Sequence, residues 1–201
     1  MIPPNLPLYQ SYEEYLYDER LSPENNYRLL STGELIEVPL EDDLNVRIAM
    51  RLMFKLWEYN DKALFRQIRT HRKEFQVPPV GDQQMSRRPD LMVMHPEHLE
   101  VARYSILLGM VPPLFIAEVV SPGDESSDNY QRDYVWKRQQ YEWWHVPEYW
   151  IIDPHRETVT VLVLVDGTYV ERIYKAPELI ASEIFPLFSI ATQDLLEDDW
   201  A

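Results

Sequence analysis

Apolar and polar positions change their period several times along the chain, and each change marks an element. Over 44–59, Ile48, Leu52, Leu56 and Tyr59 recur every three to four positions behind Asp42 and Asp43, which predicts an amphipathic helix with an acidic N-terminal cap. A shorter helix is expected from Ser11 to about Arg20, with Glu13 and Glu14 in its first turn and an end near Ser22-Pro23. Two short strands, 27–30 and 34–38, hinge at Gly33. Segments around 64–68 and 74–77 read as strands ahead of a Pro-rich, polar loop at 78–88. The runs 90–94 and 114–120 predict strands in the middle of a sheet, joined through a helix-like stretch, PEHLEVAR. After the turn signal Ser121-Pro122-Gly123-Asp124, residues 128–144 predict a long helix with Tyr130, Tyr134, Lys137, Tyr141 and Trp144 on one face. Strands follow at 148–153, 158–165 and 168–174, the last two forming a hairpin about Asp166-Gly167. The chain closes with Pro186-Leu187-Phe188, a short helix from about Thr192 and the acidic end Glu197-Asp198-Asp199.

Two carboxylates interrupt this pattern. Asp90 follows Pro89 and opens the run Leu91-Met92-Val93-Met94, and Glu118 lies inside Leu114-Phe115-Ile116-Ala117-Glu118-Val119-Val120. FIAEVV reads as a strand covered on both faces, where an unpaired carboxylate costs several kcal/mol. A cation is the usual compensation. Two strand-borne carboxylates converging on one divalent ion are a minimal set for metal-assisted hydrolysis, because the ion acidifies bound water and neutralises charge developing on the substrate. Each residue also has a plainer reading: Asp90 as a strand-entry cap, and Lys137 as a snorkelling or cation–π side chain beside Tyr134 or Tyr141. None of the histidines, His71, His95, His98, His145 and His155, has a partner at metal-binding spacing. The aromatic residues between 134 and 150 suit a core or a dimer face.

Composition narrows the choices. At 201 residues, 45% hydrophobic and 26% charged, the chain suits one compact domain over 1–201, with a helical N-terminal extension over about 1–26. There is no internal repeat and no linker long enough to separate a second domain. Cysteine is absent, so disulfides, thiolate metal sites and cysteine nucleophiles are excluded, and a reducing cytoplasm is compatible. No secretory signal is expected at the N-terminus, and the longest uncharged stretch, 104–117, contains Pro112-Pro113 and is shorter than the ~20 residues of a membrane span. A net charge of −15 argues against a large nucleic-acid-coating surface. Locally, however, Arg66, Arg69, Arg72 and Lys73, with His71, fall in a stretch without acids, and Arg87-Arg88 precede Pro89-Asp90. They are either a substrate-facing basic strip or ordinary solvated charge.

The order of these features resembles the PD-(D/E)xK nuclease superfamily and, within it, the Uma-type family of restriction-endonuclease-like proteins. The matching stretches are GELIEVP (33–39), RPDLMVM (88–94), PPLFIAEVVSP (112–122), RDYVWKRQQY (132–141), VPEYWIIDP (146–154) and TVTVLVL (158–164). The resemblance runs from about Tyr27 to the C-terminus. It implies an α/β (α+β) fold with a restriction-endonuclease-like core, a central mixed β-sheet flanked by helices. It also implies Mg2+ or Mn2+ held by Asp90, Glu118 and the backbone carbonyl of Val119. The superfamily's lysine would stand at position 120, which is Val120; the Uma-type pattern takes it from the next helix, where Lys137 matches. A further acid from the N-terminal part would be Glu34 or Glu37. Many Uma-type sequences have a histidine at the start of the early helix, and this chain has Asn45 there.

The resemblance implies a bacterial metal-dependent DNA endonuclease acting as a homodimer, with DNA as substrate and no membrane involvement. The alternative is a catalytically weak or inactive nuclease-fold protein serving as a binding or regulatory module, which the acidic balance and Val120 favour. A third reading keeps the metal site for a small phosphodiester. Convergence of Asp90, Glu118 and Lys137 would separate the first from the second.

Overall fold

The computed structural model describes residues 8–21, 26–38, 42–59, 62–71 and 73–197. Helix α1 (Tyr12–Leu16) leads into the ribbon β1 (Tyr27–Leu29) and β2 (Leu35–Glu37), then α2 (Asp43–Glu58), α3 (Lys62–Phe65) and β3 (Ile68–Arg69). The middle of the chain holds β4 (Glu74–Gln76), β5 (Ser86–Arg87), β6 (Leu91–Val93), α4 (His98–Val101), β7 (Ser105–Ile106) and β8 (Phe115–Val119). A long helical segment follows: α5 (Asp128–Tyr130), a π-helical turn (Gln131–Trp136) and α6 (Lys137–Trp143). The chain ends with β9 (Glu148–Asp153), β10 (Thr158–Val165), β11 (Thr168–Lys175), β12 (Leu179–Ala181), β13 (Ser189–Ala191) and α7 (Thr192–Leu196).

The main sheet has six strands in the order β11-β10-β9-β8-β6-β3, with β8 and β9 parallel and the other neighbours antiparallel. Side-chain alternation sorts its residues onto two faces. One face carries Leu91, Val93, Phe115, Ala117, Val119, Trp150 and Ile152 against Ile48, Ala49, Leu52 and Leu56 of α2 and against Phe185, Phe188 and Leu195 from the C-terminal part. The other carries Met92, Ile116, Val120, Tyr149 and Ile151 against Tyr141 and Trp144 of the second helix, with Phe75 and Ile106 beyond. The result is a mixed α/β fold, a central mixed sheet with a helix on each face. A third cluster, Tyr9, Tyr12, Tyr15, Tyr27 and Leu29, joins α1 to the β1–β2 ribbon.

Most elements lie where the pattern puts them. Asp42 caps α2 by accepting from the Leu44 N–H at 2.9 Å, and the positive φ of Asp166 (50°) and Gly167 (82°) makes the expected tight hairpin turn. Gly33 turns the β1–β2 ribbon at φ 88°. Four expectations need correction. The first helix ends at Leu16, because the Tyr17 N–H closes on Glu13 and the chain then turns so that Asp18 receives Tyr9 and Arg20; its expected end near Ser22-Pro23 falls outside the described residues. The segment 64–68 is not a strand: Lys62–Phe65 is helical, the Arg66 and Gln67 N–H groups close a turn onto Ala63 and Leu64, and only Ile68–Arg69 pairs with β6. The loop at 78–88 contains β5, which with β4 and β7 forms a separate three-stranded sheet. The region after β11 contains the unexpected pair β12–β13. Among the described residues, no helix is long and apolar enough to cross a membrane.

Candidate active site

Register brings the two carboxylates together. β6 and β8 pair Leu91 with Ala117 and Met92 with Ile116, so one step further places Asp90 across from Glu118 on the same face of the sheet. Both are buried, at 4% and 2% exposure. Asp90 Oδ2 accepts the Val119 N–H at 2.6 Å, and His71 Nδ1 lies 3.3 Å from Asp90 Oδ1. His71 is held by donation of its own N–H to the Pro89 carbonyl at 3.1 Å, in a left-handed backbone conformation with φ 49°.

Lys137 reaches the pair from the helix above. The Lys137 N–H donates to the Arg132 carbonyl, five residues back, which is the wide turn of a π-helix. Its ammonium Nζ lies 2.6 Å from Asp133 Oδ1 and 2.9 Å from Glu118 Oε2, at 8% residue exposure. Tyr141, one turn on, donates its hydroxyl to Glu118 Oε1 at 2.7 Å. Asp133 is fully buried and receives the Arg132 guanidinium at 2.8 Å on its second oxygen. Two carboxylates and two cations thus alternate as Glu118, Lys137, Asp133, Arg132.

Burial pushes the Glu118 carboxyl up, Asp90 and Asp133 push it further, and Lys137 opposes both. Burial disfavours the Lys137 ammonium, but Asp133 and Glu118 outweigh it and the group is held above its ordinary value. Asp133 is held low despite burial, by Lys137 and Arg132. A carboxyl raised on folding binds its proton more tightly in the folded state, so stability falls as pH climbs from the ordinary glutamate value of about 4.3 through the raised one. Glu118→Gln is expected to flatten that limb of the stability profile, measured by urea unfolding at stepped pH. An unchanged slope would mean that Glu118 titrates as an ordinary surface acid.

The other expected site residues are spread more widely. Arg87, 2% exposed, turns inward, donating from Nε to Gln140 Oε1 at 2.9 Å and from Nη1 to Gln84 Oε1 at 3.0 Å. Gln140 in turn donates to the Pro78 and Gln84 carbonyls at 3.0 Å each, tying the helix to the loop before β5. Arg88 pairs with Glu74 at 2.9 Å, where Tyr12 and Tyr15 also donate. Polar partners within the fold hold both side chains, which leaves Arg87 buried and Arg88 half-buried, neither of them freely solvated. Glu34 and Glu37 are exposed on the β1–β2 ribbon, with Glu34 accepting from the Thr32 hydroxyl at 3.0 Å. The acid that joins the Glu118–Lys137 contact is Asp133. Arg66 is exposed, Arg69 and Lys73 are half-buried, and Arg72 lies outside the described residues.

Asp90, Glu118 and the Val119 carbonyl, which accepts the buried Asn45 Nδ2 at 3.3 Å, are the groups that could hold a divalent ion. Among the described residues, no group of three or more His, Cys, Asp or Glu side chains is arranged to hold an ion. A two-carboxylate set still fits Mg2+, whose remaining positions are filled by water and substrate oxygens, and carboxylate oxygens can each accept more than one donor. Sequence reasoning missed Asp133 and the roles of Tyr141 and Gln140. Asp133 precedes Lys137 by four residues, a spacing that puts acid and base side by side on a helix, and that signal was available.

The Uma2 family, described as "Putative restriction endonuclease", matches residues 10–193. A crystal structure described as that of "a putative nuclease belonging to DUF820 from Anabaena variabilis" is 17% identical, with a TM-score of 0.57, over 85% of this chain and 89% of that one. No curated protein matches. The structural likeness carries the fold, and the family match extends over every element that builds the carboxylate pair, so the chain belongs to the Uma2 family.

Proposed function

We propose that the protein is a Mg2+- or Mn2+-dependent endodeoxyribonuclease that hydrolyses phosphodiester bonds in DNA, with a homodimer placing two sites on two strands. The observation that carries this reading is the buried Asp90–Glu118 pair with the Lys137 ammonium 2.9 Å from Glu118. Asp90, Glu118 and the Val119 carbonyl would hold the ion, whose contribution when bound is to acidify water and neutralise phosphoryl charge. Asp90 is oriented by the Val119 N–H, and Tyr141 fixes the rotamer of Glu118. Lys137 offers a preformed positive charge toward the oxygens on which negative charge grows, and Asp133 with Arg132 keeps that ammonium in place.

The test is incubation with plasmid, linear and single-stranded DNA in Mg2+, Mn2+ or EDTA. Nicking or linearisation that needs the ion and stops in EDTA is the expected result. Millimolar Mn2+ should also raise the melting temperature of the parent, because an ion that binds only the folded state stabilises it by mass action and relieves the Asp90–Glu118 repulsion. Glu118→Gln should lose that shift. A parent that folds but neither cleaves nor responds to Mn2+ would support a binding module instead.

A further inference from the structure

A cleft of about 450 Å³ lies beside the β3 edge of the main sheet, and its lining includes Arg69, Lys73, Met94, His98, Ala102 and Arg103. That volume falls within the ordinary range of about 300–1,000 Å³ for small-ligand sites. Three cations around one cleft stand out in a chain of net charge −15. Among the described residues, no carboxylate forms an ion pair with any of the three.

Backbone carbonyls hold two of these cations instead. Arg69 donates from Nη1 to the Arg66 and Ile68 carbonyls at 2.8 and 2.7 Å, which leaves Nε and Nη2 for a ligand. Lys73 donates to the carbonyls of Ala102 and Arg103. The exposed Arg103 guanidinium sits 5.2 Å from the Tyr104 ring centroid. His98 is 2% exposed; its Nε2 faces the Val111 carbonyl at 2.8 Å and so carries the hydrogen, while Nδ1 has no hydrogen-bond partner. Burial and the Arg69 charge both disfavour the Lys73 ammonium, and burial with nearby His95 and Lys73 disfavours protonation of His98. Cations held together without counter-charge repel one another, and a bound anion relieves that repulsion.

The position indicates which anion. His71, between Arg69 and Lys73 in the chain, touches Asp90. Met94 in the cleft and Asp90 at the carboxylate pair lie at opposite ends of the β6 stretch, about 13 Å apart at ~3.3 Å per residue. We propose that this cleft seats a phosphate group of the nucleic-acid strand, more than one nucleotide along from the phosphodiester that lies at Asp90 and Glu118. The proposal rests on the nuclease reading of that pair. Phosphate contacts of this kind position a strand without reading its bases.

The test is fluorescence anisotropy of end-labelled duplex and single-stranded DNA in EDTA, where the proposed cleavage is off, between about 50 and 200 mM salt. Arg69→Ala/Arg103→Ala is expected to weaken binding about tenfold or more at the low end and to reduce the log–log salt slope by about 1 or more, equally for different sequences. Arg103→Glu, at an exposed position, supplies a second variant, with melting temperature as the fold control. Titration with inorganic phosphate and a nucleoside 5′-monophosphate separates the sources: stabilisation of the parent but not the double variant, with DNA binding unaffected, supports a free phosphomonoester ligand in the same cleft. Parent-like DNA affinity and salt slope in both variants, without stabilisation by phosphate, overturns the cleft. If the variants lose affinity while the parent never cleaves with Mg2+ or Mn2+, the nuclease reading fails and the phosphate cleft stands. If the parent cleaves and the variants bind unchanged, the cleft fails alone.

Discussion

Lys137→Met is expected to lower DNA cleavage by a factor on the order of 10²–10³ while the protein still folds, the scale of losing one preorganised electrostatic donor. Methionine keeps most of the apolar stem that lies in the stripe with Tyr141 and removes the charge 2.9 Å from Glu118. Glu118 already has a raised carboxyl, and without its cation it can take up a proton, so the fold tolerates the change better than the chemistry does. The check is single-turnover cleavage beside urea unfolding. Parent-like cleavage by the methionine variant would make Lys137 a packing residue.

Asp133→Asn should do the reverse and act chiefly on stability, costing about 3–5 kcal/mol, the usual scale for removing one partner of a buried ionic network. Asp133 is fully buried between Lys137 at 2.6 Å and Arg132 at 2.8 Å. When a buried carboxylate loses its cation it can neutralise itself; without Asp133, Lys137 keeps only Glu118 to offset its burial, and Arg132 stays charged, half-exposed and bonded to Asn129. The loss should therefore exceed that of Lys137→Met. Urea unfolding of both variants at neutral pH decides the order, and equal losses would count against the chain Glu118–Lys137–Asp133–Arg132 acting as one network.

The sequence made the sheet strands legible because long apolar runs and tight turns depend on neighbours in the chain. The six residues of β9 and the β10–β11 hairpin are such cases. The carboxylate pair was legible because Asp90 and Glu118 sit in runs that bury them. The same reasoning, applied alone, would also have marked Glu148 and Asp153, which are equally buried. Both have local tasks. Glu148 receives the Trp150 indole and the loop N–H groups of Glu183 and Ile184, and Asp153 receives the turn N–H groups of His155 and Arg156. What set Glu118 apart was its company, the lysine in the aromatic stripe and the family pattern around it. The contacts of Arg87 and Arg88 were not legible because their partners, Gln140 and Glu74, lie far along the chain, and charge density in a sequence does not say which way a side chain turns. The short edge elements α3, β5 and β7 have too few residues for a period to show.

The π-helical turn at Gln131–Trp136 is, in effect, a phase shift between two halves of one rod. Tyr130 just before it and Tyr134 within it stack at 4.4 Å under Arg156, and the Tyr134 hydroxyl reaches Asp153. After it, Lys137, Gln140 and Tyr141 address Glu118 and Arg87. A uniform α-helix turns about 100° per residue, so removing one residue from the wide turn would rotate the first half by that amount relative to the second. Either the β9 end of the helix or its grip on Glu118 would then be lost. Length in this segment is therefore more constrained than composition: substitutions that keep the turn can be absorbed, whereas a single-residue deletion costs one of these two sets of contacts without altering a side chain in either.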